Sequence, residues 1–298
     1  MIKFFLLLSV SCIVLLTGCR KSNFDEGPDS NTEKFKVSFS AGTSGKEMDF
    51  KGVQQLSVPV TGLINQLTFM VYDAQSKAEV YRSTQFANAP QFGQINFELP
   101  LGEYEFVAVG SKTEFGINKF FRNNDVPLVL PFGEANMQYW QPSFTMSDKH
   151  YKTDDTFFVK QHVVISSNQT ISLVMQRIIG RIEVIVEDSP NFTVGVENEA
   201  TGYLFESETS FGNIDHHQYT VANVNGGSVV INILRTHSPL RLDVAYGDAI
   251  GQWETIFVPV LKNKRTVVRG KLKDHPANTS FSVTINDEWL SDAEEVNF

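Results

Sequence analysis

The sequence predicts an all-β protein built from two tandem antiparallel β-sandwich domains. Apolar and polar residues alternate with a period of two in many segments, as in strands that bury one face and wet the other. No segment of about a dozen residues or more keeps the 3.6-residue period of an amphipathic helix. Gly, Pro, Asn and Asp separate the alternating segments, for example at residues 100–102 and 225–227. Roughly fifteen to eighteen strands are too many for one small sandwich and suit two.

The first predicted domain covers residues 35–177 and the second covers residues 178–298. The alternating apolar sets of the first are Phe35/Val37/Phe39, Ile95/Phe97/Leu99, Tyr104/Phe106/Ala108 and Ile171/Leu173/Met175. Those of the second are Ile182/Val184/Val186, Leu240/Leu242/Val244/Tyr246 and Phe281/Val283/Ile285. The boundary lies near residues 176–180, and it is short and partly apolar. We therefore expect the two domains to pack end to end rather than to hang on a loose linker.

Length, composition and charge bound the class of protein. The chain has 298 residues, 42% hydrophobic and 20% charged, which is ordinary globular composition and excludes collagen, coiled coils and wholesale disorder. Lys and Arg number 25 against 34 Asp and Glu, a net charge of −9. This acidic balance argues against nucleic acid as a partner, because such binding needs clustered cations that displace counterions.

Residues 1–18 have the pattern of a secretory signal peptide. Lys3 precedes an apolar run over residues 4–16, which is too short to span a bilayer as a helix of about 20 residues. The run ends in Leu-Thr-Gly-Cys at residues 16–19, which resembles the lipobox of bacterial lipoproteins. The resemblance implies lipidation of Cys19, which becomes the mature N-terminus. An uncleaved anchor and an ordinary signal peptide are the alternatives.

Lipidation at Cys19 has consequences for the mature chain. Cys12 leaves with the signal peptide, so no free thiol, disulfide or cysteine metal site remains. Loss of Lys3 changes the net side-chain charge from −9 to −10, which disfavours docking on an anionic membrane. The lipid must therefore hold the protein at the membrane. The segment 19–34 is predicted to be the lipidated cysteine and a flexible tether with a span of roughly 20 Å.

Patterns of catalytic residues are missing from the sequence. It contains no Gly-x-Ser-x-Gly elbow, phosphate loop, dinucleotide fingerprint or His-Glu-x-x-His motif. The cluster Asp215-His216-His217 is interpreted as a solvated turn rather than a metal site, since adjacent strand residues point to opposite faces. The pair Asp154-Asp155 is interpreted as part of a polar loop rather than a calcium site. We assign no catalytic residue, metal or cofactor, and predict that the protein is not an enzyme.

The adjacent aromatic residues Tyr139 and Trp140 are the best candidates for a glycan contact. Aromatic rings stack on sugar faces, so a surface pair of this kind suits a carbohydrate ligand. A packing pair in the core or between strands is the alternative, and we favour it.

Several segments together resemble one protein family. They are the Phe-x-Val-x-Phe strand at 35–39, the segments 67–73 and 97–110, the stretch 173–184 and the C-terminal segment 281–289. In this order behind a lipobox they resemble the fimbrillin-like proteins of Bacteroides-type bacteria, especially the fimbrial anchor (minor-fimbrium accessory) lipoproteins. The resemblance spans nearly the whole chain.

The resemblance implies two transthyretin-like Greek-key sandwiches on a surface-exposed, lipid-anchored outer-membrane protein. It implies a structural role in fimbrial anchoring, assembly and cell adhesion, with fimbrial subunits as partners through β-strand addition. Phe281, Val283 and Ile285 are the candidate residues of the donor or partner strand.

Two other functions stay open. In a fimbrial shaft or tip subunit, an Arg-specific protease could trim the N-terminus in an exposed loop, and Arg82 is the nearest candidate. The second alternative is a glycan-binding surface lipoprotein of a polysaccharide uptake system.

Overall fold

A computed structural model of the chain describes residues 33–49, 52–118, 129–139, 153–213, 217–221, 227–246, 253–272 and 281–286. Over these ranges the chain forms twenty strands and no helix, which confirms the predicted all-β fold class. The described residues from Lys34 onward belong to one compact unit. No helix within the described ranges is long and apolar enough to cross a membrane. The signal peptide, Cys19 and the tether up to residue 32 lie outside the described residues.

The first ten strands form the part of the molecule nearest the N-terminus. They are β1 (Lys34–Asp49), β2 (Gly52–Pro59), β3 (Gln66–Asp73), β4 (Glu79–Phe86), β5 (Gln94–Pro100), β6 (Gly102–Ser111), β7 (Gly116–Ile117), β8 (Asn136–Gln138), β9 (Thr156–Ile165) and β10 (Gln169–Arg177). One layer holds β1 between parallel β10 on one side and antiparallel β5 and β2 on the other. The second layer has the order β9-β6-β3-β4. The last two residues of β10 also pair with β9, which joins the layers at one corner.

A hydrophobic core fills the space between these two layers. Strand β1 contributes Val37, Phe39 and Ala41, which are buried as their alternation predicts. The ring of Phe39 lies 4.4 Å from that of Phe106 and 5.1 Å from that of Phe97, centroid to centroid. Residues on strands β1, β5 and β6 thus meet in one aromatic cluster, which ties the N-terminal strand to both layers.

The second layer is covered on both faces. Met70, Tyr72 and Val107 point away from the first core into a second cluster, so β3 and β6 are buried along almost their full length. A small sheet with the order β14-β13-β8-β7 contributes residues to the same cluster, where β13 is Gly202–Leu204 and β14 is Thr209–Phe211. Two of its strands precede residue 178 and two follow it. The middle cluster is therefore shared by the two halves of the chain.

The remaining strands form a second sandwich. They are β11 (Gly180–Val186), β12 (Phe192–Val196), β15 (His217–Val221), β16 (Ser228–Ile233), β17 (Leu240–Tyr246), β18 (Trp253–Val258), β19 (Arg265–Gly270) and β20 (Ser282–Asn286). One sheet has the order β16-β11-β19-β20 and the other β15-β12-β17-β18. The predicted alternation of Ile182, Val184 and Val186 is confirmed, since all three are buried between these sheets.

The link between β10 and β11 is two residues long. Ile178 and Ile179 are both buried in the middle cluster. Their backbones are fixed by hydrogen bonds from Ile178 N to Thr156 O and from Asn263 N to Ile179 O. The predicted domain boundary at residues 177 and 178 falls at this link, and it stays a prediction, as do the two transthyretin-like domains.

Candidate functional site

Strand β20 lies at the edge of its sheet. It pairs with β19 in antiparallel register, and no other described strand pairs with its second edge. Its sequence, Ser-Val-Thr-Ile-Asn, contains no charge, no Pro and no Gly. Charged side chains and Pro are features by which sheet edges usually avoid unwanted pairing. The edge of β20 is therefore chemically open to a further strand.

The apolar side chains of β20 continue the inner face of the sheet. Val283 lies opposite Val268 and Ile285 lies opposite Thr266, and both residues of β19 are fully buried. Directly paired residues point to the same face, so Val283 and Ile285 face the core. They are nevertheless 38% and 42% exposed. The expectation that the final strand buries its apolar face is therefore wrong at these two positions, because nothing described covers the core beyond them.

The opposite side of the same sandwich is closed. Strand β16 is the other edge of the sheet, and its core-facing Ile231 and Ile233 are buried. There β15 contacts β16. The orders of the two sheets then place β18 beside β20 at the side away from β15 and β16. Half-buried Ile256 of β18 and half-buried Phe281 pack on the core at that side. We call the opening between β18 and β20, marked by Val283 and Ile285, the open side of the sandwich.

Phe281 is the residue that fixes the start of β20. Its ring lies over Gly270, where an added Cβ would come within 2.5 Å of the ring. Glycine is therefore required at the end of β19 for this close approach. Among Phe281, Val283 and Ile285, the structure thus anchors the first in the core and leaves the other two half exposed.

Edge strand β4 differs from β20 in its charge. Arg82 donates two hydrogen bonds to the Glu79 carboxylate, at 2.8 and 2.5 Å, and its side chain is mostly buried. Arg82 thus lies within a strand and is held by a bidentate ion pair. It is not part of an exposed loop, where trimming by a protease would need it.

The two aromatic residues considered for glycan binding are separated by the structure. Tyr139 is 4% exposed, and its hydroxyl hydrogen-bonds with Ser111 and Thr156. Burial raises the pKa of the Tyr139 phenol far above its ordinary value. A buried ring offers no face to a sugar, so Tyr139 is a packing residue, as the favoured interpretation holds. Trp140 lies outside the described residues.

A buried polar cluster is the feature that the sequence did not reveal. Glu199 has no exposed surface, and its Oε2 lies 2.7 Å from His217 Nδ1. The Tyr219 hydroxyl donates to the same carboxylate at 3.2 Å. Burial, and then the charge of Glu199, raise the pKa of Tyr219. The interpretation of His217 as part of a solvated turn is wrong, because it lies in β15 with its side chain buried. Asp215 and His216 lie outside the described residues.

The acidic pair Asp154-Asp155 is bound to protein donors. Asp155 accepts two hydrogen bonds from Arg177 at 2.5 and 2.7 Å, and Asp154 accepts one from Thr113 at 2.7 Å. These contacts support the polar-loop interpretation. Among the residues that the structure describes, no group of three or more His, Cys, Asp or Glu could hold a metal ion.

Comparisons with known proteins agree with the fold. The sequence profile of a family described as fimbrillin-A associated anchor proteins Mfa1 and Mfa2 matches residues 29–292. No curated protein sequence matches the chain. The solved fimbrial anchor protein Mfa2 from Porphyromonas gingivalis is similar, with 12% identity and a TM-score of 0.54, covering 86% of this chain and 98% of that one.

Two Bacteroides structures are also similar in fold. A candidate polysaccharide-binding protein (DUF1812) from Bacteroides thetaiotaomicron has 10% identity and a TM-score of 0.56, covering 87% of this chain and 99% of that one. A candidate adhesin from Bacteroides ovatus has 11% identity and a TM-score of 0.54, covering 76% and 79%.

The fold and the profile match define the class as β-sandwich structural proteins of fimbriae. The chain belongs to the family of fimbrillin-A associated anchor proteins Mfa1 and Mfa2, because the profile covers well over half of its length. Membership gives it a structural role in fimbrial anchoring, in the cell envelope or associated with the cell surface. The resemblance inferred from the sequence motifs is thereby confirmed.

Proposed function

We propose that the protein is an outer-membrane lipoprotein that anchors a fimbrium, accepts a strand of a fimbrial subunit and catalyses no reaction. Family membership and the lipobox at residues 16–19 support the lipid-anchored location. The observation that carries the proposal is the open side of the sandwich, where an uncharged edge strand carries half-exposed Val283 and Ile285. An added strand would satisfy the free backbone groups of β20 and cover both side chains.

The N-terminal strand favours an anchor over a trimmed shaft subunit. Strand β1 has paired neighbours on both sides and places Val37 and Phe39 in the first core. Its removal would open a slot in that core, which another strand would then have to fill. In an anchor β1 stays in place, and the lipid at Cys19 remains covalently joined to the folded body.

The first experiment is mass spectrometry of the protein taken from outer membranes in mild detergent with its bound partners. Acylated Cys19 together with fimbrillin-like chains would support the anchor. A new N-terminus after an internal Arg or Lys would indicate a polymerising subunit. Acylated protein with transport proteins or glycan alone would indicate the polysaccharide uptake function.

Replacing the lipidated residue is the direct test of membrane attachment. Cys19→Ala removes the acyl chains, each of which contributes about 0.8 kcal/mol per buried CH₂. We expect the variant to leave the membrane fraction while its circular dichroism and melting temperature stay those of the unlipidated wild type. Retention of Cys19→Ala in washed membranes would contradict lipid anchoring.

Charges on the open side should prevent strand addition. Val283→Asp and Ile285→Asp each place a carboxylate where the partner would exclude water, so fimbrial subunits should no longer copurify. The melting temperature should change little, because both side chains are already partly in water. Val230→Asp on the opposite edge strand β16 is the matched control, since Val230 is 52% exposed on the outer face. Equal loss of partner in all three variants would argue against β20 as the site.

A further inference from the structure

Two of the strand pairings in the described part of the chain are parallel. They join β1 to β10 and β11 to β19, and all other described pairings are antiparallel. The two parallel ladders are consecutive along the chain, because β10 runs into β11 through only Ile178 and Ile179. Strand β1 follows the tether, and β19 carries the open edge strand β20. A pull between Cys19 and a partner on β20 would therefore be carried through both ladders.

We propose that this order of strands makes the protein a tension-bearing link, in which β1–β10 and β11–β19 act as two shear clamps in series. The inference rests on the proposed anchor function, which gives the load its two ends. It concerns how the folded chain resists a pull, and the partner enters only as the source of that pull.

The geometry of the first clamp follows from strand direction. The pairing runs through seven consecutive residue pairs, from Val37 with Gln169 to Thr43 with Met175. Tension pulls β1 by its N-terminal end and β10 by its C-terminal end. In parallel strands these forces slide one strand along the other and load the evenly spaced hydrogen bonds together. A hairpin pulled from its open end instead loses its hydrogen bonds one after another.

Neighbouring contacts strengthen the first clamp. On its other side β1 pairs with β5 over Lys34–Ser40 and with β2 over Gly42–Asp49, so sliding must break ladders on both sides. Phe39 is stacked on Phe97 of β5 and touches Phe106 in the facing layer. Sliding β1 would drag this ring out of a close-packed core.

The join between the two clamps is held in place. Arg177, the last residue of β10, binds the Asp155 carboxylate and donates to Asn263 Oδ1 at 2.9 Å. Asn263 in turn donates its backbone N–H to Ile179 O at 2.8 Å. These contacts cross the link between β10 and β11, so tension is passed on without an intervening free hinge.

The second clamp is also a parallel pair of strands, and it is loaded in the same way. Strand β11 pairs with β19 from Arg181 with Arg265 to Val186 with Gly270. Tension from the lipid acts on the N-terminal end of β11, and a partner on β20 pulls on β19. An opposed pull on these two strands again acts along the ladder. An ion pair between Arg265 and Glu183 joins the same strands, and a second one joins Arg269 of β19 to Glu187, the residue after β11.

Single-molecule force spectroscopy on the mature chain tests the proposal by changing only the direction of pull. The unlipidated chain starting at Cys19 contains one thiol, which serves as the first handle. In one variant the second handle is Lys271→Cys, directly after β19. In the matched variant it is Ser167→Cys, in the exposed turn before β10. The first pair shears both ladders, and the second peels β1 from the start of β10.

We expect the first rupture force of the Cys19–Lys271→Cys pair to be at least about twofold higher than that of the Cys19–Ser167→Cys pair at equal loading rate. In the first pair the hydrogen bonds of each ladder share the load. Equal or lower force in this direction would overturn the clamp. Copurification of fimbrial subunits is measured separately on the same variants. High shear force without copurified subunits would support the clamp and overturn only the anchor function, whereas low shear force with subunits bound would overturn the clamp alone.

Discussion

Replacing Glu199 by Ala should destabilise the protein by roughly 2–6 kcal/mol, because it leaves two buried hydrogen-bonding groups without their acceptor, each at a cost of about 1–3 kcal/mol. Glu199 has no exposed surface and accepts from both His217 and Tyr219. Alanine leaves the imidazole and the phenol without this acceptor in the core of the second sandwich. Equilibrium urea unfolding of the wild type and the variant measures the difference.

Two further variants define what the carboxylate contributes. Glu199→Gln keeps the shape and one acceptor oxygen, so its loss should be smaller, about 1–3 kcal/mol. Glu206→Ala is the matched control, because Glu206 is 47% exposed and lies 3.6 Å from Lys77 in a surface ion pair. Such pairs are worth about 1 kcal/mol or less. Similar losses for Glu199→Ala and Glu206→Ala would contradict the buried cluster.

The buried cluster of Glu199, His217 and Tyr219 could not be predicted from the sequence. Asp215-His216-His217 contains three polar residues in a row, a pattern typical of a turn. The partner of His217 is Glu199, which lies 18 residues earlier and has no motif around it. The pairing of β12 with β15 is one of the contacts that bring this part of the chain together. Long-range pairing of this kind leaves no local signal.

The strands with one buried face were the predictable part of the fold. Alternation in β1, β6, β10 and β11 predicted which residues enter a core, and the structure buries Val37, Phe106, Leu173 and Val184 as expected. Strands β7, β8, β13 and β14 have two or three residues each, too few to show alternation. They build the sheet shared by both halves, so the middle cluster could not be anticipated.

The sequence predicted the strand at the candidate site, and it did not predict that the apolar face of this strand is exposed. The alternation of Phe281, Val283 and Ile285 predicted a strand, and the structure contains it. Whether such a face is covered depends on the strands around it. In the described part of the chain the sheet ends at β20. Val283 and Ile285 are therefore left partly exposed and form a candidate binding edge.

Replacing Phe39 by Ala should cost about 3–5 kcal/mol, the usual loss for a large buried ring. Phe39 is 3% exposed and lies between the rings of Phe97 and Phe106. A matched change, Phe257→Ala, removes a ring that is 68% exposed and should stay within about 0.5 kcal/mol. Urea unfolding gives both values, and hydrogen exchange of the β1 amides locates the weakened region.

The Phe39 experiment also separates an anchor from a trimmed subunit. If β1 remains part of the mature protein, Phe39→Ala lowers the unfolding free energy of protein taken from native membranes as it does for the recombinant chain. If β1 is cut away and replaced by a partner strand, residue 39 is absent from the native material, and its stability is then indifferent to the substitution. A stability loss in the recombinant chain that vanishes in native protein would therefore overturn the anchor, because an anchor needs β1 to join its lipid to its core.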